Sequence, residues 1–221
     1  NVTRGISDAV RTMSSDGGPA AARAIMTTDP FPKEAAVEVH SDAGTFRVGG
    51  IAKGSGMIEP LMATMLGFVT LDAAVEPALL QRALKAVCDD TFNAITVDGE
   101  CSTNDCVFAL ANGASGVTLT EADYPFLVDA LRQVCEPLAI GIVRGGEGAT
   151  KLITIRVVGG SSNEDARRAA RAIANSPLVK TAIHGGDPSW GRLVAVAGRS
   201  GSAFALEEAA VRIGPIELFS G

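Results

Sequence analysis

The sequence predicts an α/β layered fold, and three observations carry that prediction. Helical and strand periodicities alternate along all 221 residues. Glycines punctuate them in clusters at 49–56, 141–148, 185–191 and 198–201. Aromatics are scarce, at eight Phe, one Tyr and one Trp, so the core has to be built from Ala, Val, Ile and Leu. In chain order, Gly17–Ile25 is Ala-rich and reads as a helix. Val37–His40 and Thr45–Val48 alternate about Ser41-Asp42-Ala43-Gly44, a hairpin with a four-residue loop. The apolar run Met65–Val69 reads as a buried strand. Glu76-Pro77 opens a helix whose Leu79, Leu80, Ala83, Leu84 and Val87 share one face. Cys106–Ala111 is a short buried strand, and Glu121–Cys135 is a helix with Leu127, Ala130, Leu131 and Val134 at helical spacing. Leu152–Val157 alternates as a strand. Ser161 and Glu164 form a capping box for a helix that stops before Pro177, and Leu193–Ala197 is an apolar run of strand length. The order of these elements does not decide between a parallel and a mixed sheet.

Composition excludes several functions. With 47% hydrophobic and 20% charged residues the chain has enough apolar surface to fold. Lys+Arg 19 against Asp+Glu 25 gives a net charge of −6, which argues against a nucleic acid or an anionic membrane as partner. No apolar run approaches the ~18 residues that span a bilayer. The start Asn1-Val2-Thr3-Arg4 lacks the layout of a signal peptide, so the expected location is the cytoplasm; its first residue, Asn, points to a piece of a longer chain. Cys88, Cys101, Cys106 and Cys135 contain no C-x-x-C pair and lie far from His40 and His184. Reduced thiols and no metal are expected. No P-loop, nucleophile elbow or dinucleotide fingerprint is present. His40 alternates with Glu38 on a solvated strand face, and His184 precedes the turn Gly185-Gly186-Asp187-Pro188.

One segment remains unusual: the glycine-rich run Gly49–Gly56, then Met57 to Met62, then Ala63-Thr64 and the apolar Met65–Val69. Read plainly, it is a loop entering a strand, with Thr64 an ordinary strand residue. The alternative starts from what a threonine needs to attack a carbonyl. Its hydroxyl requires an adjacent base, and no histidine is suitably placed. Cleavage between Ala63 and Thr64 supplies one, because the freed α-amino group (model-peptide pKa about 7.7–8.0) then serves as base within the same residue.

Lys53-Gly54-Ser55-Gly56-Met57-Ile58 followed by Met62-Ala63-Thr64-Met65-Leu66 resembles the autoprocessing region of the ornithine acetyltransferase family, the bifunctional glutamate N-acetyltransferases of arginine biosynthesis. The resemblance extends in order through Ala24–Asp29, Thr96–Gly99, Ser102–Asp105, Glu147–Lys151, Ser176–Ala182, Gly186–Pro188 and Trp190–Arg192, nearly the whole chain.

The resemblance implies a layered sandwich of mixed sheets and helices, of the autoprocessed N-terminal-nucleophile type. It further implies cleavage at Ala63–Thr64, leaving 1–63 as the end of an α subunit and 64–221 as the start of a β subunit, both in one fold and paired as a heterotetramer. Thr64 takes an acetyl group from N-acetylornithine and passes it to glutamate, with no cofactor; some members also accept acetyl-CoA. The family's substrate contacts fall on Thr27, Lys53, Thr64 and Glu147, with Thr28 the alternative to Thr27. These roles make chemical sense. A Lys beside the nucleophile can anchor an α-carboxylate, and Glu147 can meet the cationic end of ornithine or the amine being acylated. Asp187 and Arg192 read as an internal ion pair or turn cap. Leu61 and Ser189 stand where the family usually has Asn, and Leu61 is expected to slow processing. The family's Thr-Gly oxyanion hole belongs upstream of Asn1, and further substrate contacts belong beyond Gly221. Loss of such donors costs on the order of 10²–10³ in rate each, so the chain alone is expected to be crippled. A hydrolase on the same scaffold, and an inert chain, are the competing readings.

Overall fold

A computed structural model describes residues 1–59 and 65–221. It is a mixed α/β protein that divides into two compact units, Asn1–Ile95 with Glu100–Glu147, and Thr96–Gly99 with Gly148–Gly221.

The first unit opens with α1 (Val2–Thr12), a helix the sequence reading does not include although Val2, Ile6 and Val10 recur at helical spacing; it buries none of its residues. Helix α2 (Gly18–Ala24) follows where the Ala-rich stretch predicts it. The hairpin of β1 (Lys33–Ser41) and β2 (Gly44–Lys53) is tighter than expected. Ser41 pairs with Gly44, leaving Asp42-Ala43 as a two-residue turn rather than a four-residue loop. Gly44 makes this feasible with φ +127°, a conformation side chains resist, and Ser41 Oγ donates to its carbonyl at 2.9 Å. Strand β3 (Leu66–Leu71) adds antiparallel to β2. After β4 (Ala74–Val75) and α3 (Pro77–Asp90), β5 (Cys106–Ala111) returns parallel to β3. The four-stranded order is thus β1-β2-β3-β5, and the sheet is mixed. A short β6 (Thr118–Leu119) pairs in parallel with β4.

One face of this sheet is covered by α4 (Tyr124–Arg144), which packs on β1, β2 and α3. Sequence periodicity ended this helix at Cys135; the structure carries it through Pro137 to Arg144. An interior Pro costs ~3 kcal/mol, but Leu138, Ala139 and Ile142 continue the buried stripe of Leu127, Leu131 and Val134 and offset it. Gly50 is where α4 meets the sheet: a Cβ there would lie 3.0 Å from Val134 Cγ1, 3.1 Å from Leu138 Cδ1 and 3.0 Å from the Phe68 carbonyl. Gly50→Ala is therefore expected to lower unfolding free energy by about 1–3 kcal/mol through overpacking; an unchanged urea midpoint would show that the helix can retreat at no cost. On the opposite face Phe68 and Phe108 stack at 5.6 Å.

Among the described residues the cysteines are unpaired thiols. Burial pushes the Cys88 thiol up to about 11 and that of Cys135 up to about 12, whereas Cys101 is exposed. Since the thiolate is the reactive form, iodoacetamide at pH 8 should label Cys101 well before Cys88 or Cys135. Equal labelling of Cys135 in native protein would contradict this burial.

The second unit holds α5 (Asn163–Asn175), α6 (Pro177–Gly185), α7 (Trp190–Arg199) and a hairpin of β7 (Ala210–Ile213) and β8 (Ile216–Ser220). Ile173, Val179 and Val196 form its core. Three expectations are corrected here. The cap of α5 lies one residue later than the Ser161–Glu164 box: Ser162 accepts from the Asp165 N–H, and Ser161 Oγ donates to the Asp165 carboxylate. Leu193–Ala197 is helical, not a strand, because Leu193, Val196 and Ala197 at i, i+3 and i+4 all face the same core. A five-residue apolar run cannot distinguish the two by period. Leu152–Val157 is not a strand and pairs with none of the described strands.

Candidate active site

Five chain segments of the first unit come together around the ends of β2 and β3. Lys53, the last residue of β2, pairs with Leu66, the first of β3 and two residues beyond Thr64. It is only 6% exposed; among the described residues its ammonium makes no hydrogen bond, and the charge that acts on it is that of the Asp105 carboxyl. Such a cation is costly unless something completes it.

Met65, directly after Thr64, is gripped from β5. Its carbonyl accepts from the Cys106 N–H at 3.2 Å, and its N–H donates to Asp105 Oδ1 at 2.5 Å. Asp105 Oδ2 is buried with no partner among the described residues. Burial pushes this carboxyl above the ordinary range, against the pull of the Met65 N–H and the Lys53 charge. Asp105 was read from sequence only as part of a matching stretch; its role depends on a contact 40 residues away that leaves no local signal.

The loop after α4 is stitched to the loop after Lys53. Ser55 Oγ donates to the Gly145 carbonyl at 2.6 Å, and the Glu147 N–H donates to the Ser55 carbonyl at 2.9 Å. The Glu147 carboxylate lies against Gly56, where a Cβ would sit 3.0 Å from its carboxyl carbon. Glu147 is exposed, while Ser55 beneath it is buried.

Thr27 and Thr28 lie on an exposed bend after α2. The Thr27 N–H donates to Asp29 Oδ2 at 3.1 Å, and Asp29 Oδ1 accepts from the Gly54 N–H at 2.8 Å and from Lys33 Nζ at 2.5 Å. Burial alone would push the Asp29 carboxyl up, but the Gly54 N–H, the Lys33 ammonium and the Thr27 N–H together hold it below the usual range. Thr27, Lys53 and Glu147 are thus tied to one another through short bonds. Ala63 and Thr64, and with them Leu61, lie outside the described residues.

The remaining candidates sit elsewhere. His40 is exposed, with Nδ1 3.0 Å from Thr45 Oγ1 and Glu38 nearby. In the second unit His184 Nδ1 lies 3.2 Å from Thr150 Oγ1. Arg192 reaches Asp187 at 4.0 Å and donates to the Leu178 carbonyl at 2.8 Å. No cluster of three metal-ligating side chains occurs among the described residues. None of the described helices is long and apolar enough to cross a membrane.

The ArgJ family model matches residues 1–221. The chain belongs to the ArgJ family. Curated ArgJ relatives bear the name arginine biosynthesis bifunctional protein ArgJ. That of a Synechococcus species is 53% identical over 217 residues, covering 97% of this chain and 52% of the relative. That of Chlorobaculum tepidum is 56% identical over 192 residues, covering 86% and 48%. The chain therefore spans about half the length of the curated ArgJ relatives it matches. The crystal structure of ArgJ from Bacillus halodurans superposes with a TM-score of 0.67 at 45% identity, covering 69% of this chain and 73% of that one. The mixed sheet packed against helices is therefore an ArgJ fold.

Proposed function

We propose that this chain carries the central part of an acetyltransferase that moves an acetyl group from N-acetylornithine to glutamate through an acetyl-threonine on Thr64. The observation that supports this most is Lys53: a lysine only 6% exposed, whose ammonium has no hydrogen bond among the described residues and only the charge of Asp105 acting on it, on the strand that pairs with Leu66, two residues beyond Thr64. Both substrates carry an α-carboxylate beside the reacting nitrogen, and such an anion completes the cation. Glu147, exposed on the adjoining loop, suits the cationic end of ornithine. The names of the relatives, arginine biosynthesis bifunctional proteins, agree with this reading, and the second function fits acetyl-CoA as an alternative acetyl donor.

In this scheme Thr64 Oγ first attacks the Ala63 carbonyl carbon, the C–N bond breaks, and the chain passes to the oxygen as an ester. Water cleaves that ester, leaving an Ala63 carboxylate and a free Thr64 amine. The amine then accepts the hydroxyl proton as Oγ attacks the acetyl carbonyl of N-acetylornithine, and returns it to the departing ornithine nitrogen. The glutamate amine next attacks the acetyl ester, and N-acetylglutamate leaves as the Thr64 hydroxyl re-forms. Both pieces, 1–63 and 64–221, stay in one fold and pair as a heterotetramer. Product analysis tests the transfer: the complete protein should form N-acetylglutamate in proportion to the ornithine it releases. Free acetate in its place would make it a hydrolase.

A further inference from the structure

We propose that the buried Asp29–Lys33 pair is the positioning element of this substrate site, holding the Thr27 segment and the Lys53-Gly54 strand end on one carboxylate. The proposal rests on the acetyltransferase reading above and adds to it two residues that touch no substrate.

The geometry is that of a bridge. The side chains of Asp29 and Lys33 are 0% and 2% exposed, so the pair forms no part of the solvent-facing surface. Oδ2 takes the N–H of Thr27 itself, and Oδ1 takes the N–H of Gly54, bonded directly to Lys53. Thr27 and Lys53 are 26 residues apart in sequence, and this carboxylate joins their backbones. Lys33, which also donates to the Phe31 carbonyl at 3.3 Å, lies beside the loop of the third of these residues, Glu147. It threads past the end of α4, where a Cβ on Gly141 would lie 3.2 Å from its Cγ and one on Gly145 3.1 Å from its Nζ. Gly145 accepts from Ser55, which in turn accepts from Glu147. Thr27 and the Lys53-Gly54 peptide are therefore bonded to this pair directly, and the loop that carries Glu147 packs beside Lys33.

A buried pair adds little to stability over well-packed apolar residues, so its presence asks for another explanation, and the bridge supplies one. A carboxylate has two equivalent acceptors, one for each backbone N–H. No neutral side chain of that size offers the same, because Asn presents an oxygen to one N–H and an NH₂ to the other.

The test uses the complete protein. Asp29→Asn alone would strand the Lys33 ammonium, so the informative variant is Asp29→Asn combined with Lys33→Met, which removes both charges at similar volume. A merely structural pair predicts an unchanged KM once the variant folds, with any damage appearing as a smaller active fraction and hence a lower apparent kcat. A positioning pair predicts the reverse: KM for N-acetylornithine rises roughly tenfold to a hundredfold, with kcat nearly retained. Asp29→Glu keeps the charge and both acceptors but lengthens the bridge by a methylene, and should raise KM in the same direction. Wild-type KM in either folded variant overturns the proposal. A wild-type protein that transfers no acetyl group at all overturns the underlying reading, and the proposal with it.

Discussion

Thr64→Ala should leave the complete polypeptide uncut and unable to transfer acetyl groups. Both losses follow from a single atom, since the same Oγ opens the Ala63–Thr64 bond and later carries the acetyl group. Removing a nucleophile of this kind costs on the order of 10⁶ in kcat in a well-studied hydrolase, so no turnover above background is expected. A denaturing gel and an ornithine-release assay on the same preparation check the two losses together. Continued scission at this bond in the Ala variant would assign the attack to another group. Thr64→Ser, which keeps a hydroxyl and an amine, should retain both reactions at reduced rate.

Lys53→Ala should act on binding rather than on chemistry. A charge-assisted bond to a carboxylate contributes about 1.5–3 kcal/mol, so KM for N-acetylornithine and for glutamate should rise roughly tenfold to a hundredfold, with kcat less affected. Because Lys53 is 6% exposed, truncation also leaves a space, and Lys53→Met serves as the volume control. Equal loss of affinity in the Ala and Met variants places the effect on the charge. Unchanged KM in both would remove Lys53 from the carboxylate site.

How much of this is legible in the sequence depends on how local the cause is. The β1–β2 hairpin, α3 and the first half of α4 announce themselves because alternation and the 3.6-residue stripe reflect one buried face each. The extension of α4 past Pro137 does not, since the local penalty is outweighed only by Leu138 and Ile142 meeting the sheet. Helix α7 looks like a strand for the same reason: Val196 is core only once α5 and α6 lie beside it. The alternation of Leu152–Val157 is genuine, but a strand is a relationship between two segments, and none of the described strands pairs with this one.

The site divides in the same way. Thr27, Lys53 and Glu147 are reached from sequence through resemblance, and the first unit brings their segments together. Asp29 and Asp105 lie in matching stretches but with no role attached, and Lys33 lies in none. An Asp two residues from a Thr, or a Lys after a Pro, carries no mark of burial. Their importance lies in bonds across 25 residues, from Asp29 to Gly54, and 40 residues, from Asp105 to Met65. Glycine spacing at 141–145 is the one sequence feature that hints at Lys33, because those positions leave room for its stem.

N-terminal sequencing and intact mass of the complete, catalytically active protein under denaturing conditions test the central claim most directly. Two polypeptides should appear, the second beginning Thr-Met-Leu-Gly. A single unbroken chain that still transfers acetyl groups from N-acetylornithine to glutamate would contradict the account, because Thr64 would then lack the amine on which its reactivity depends.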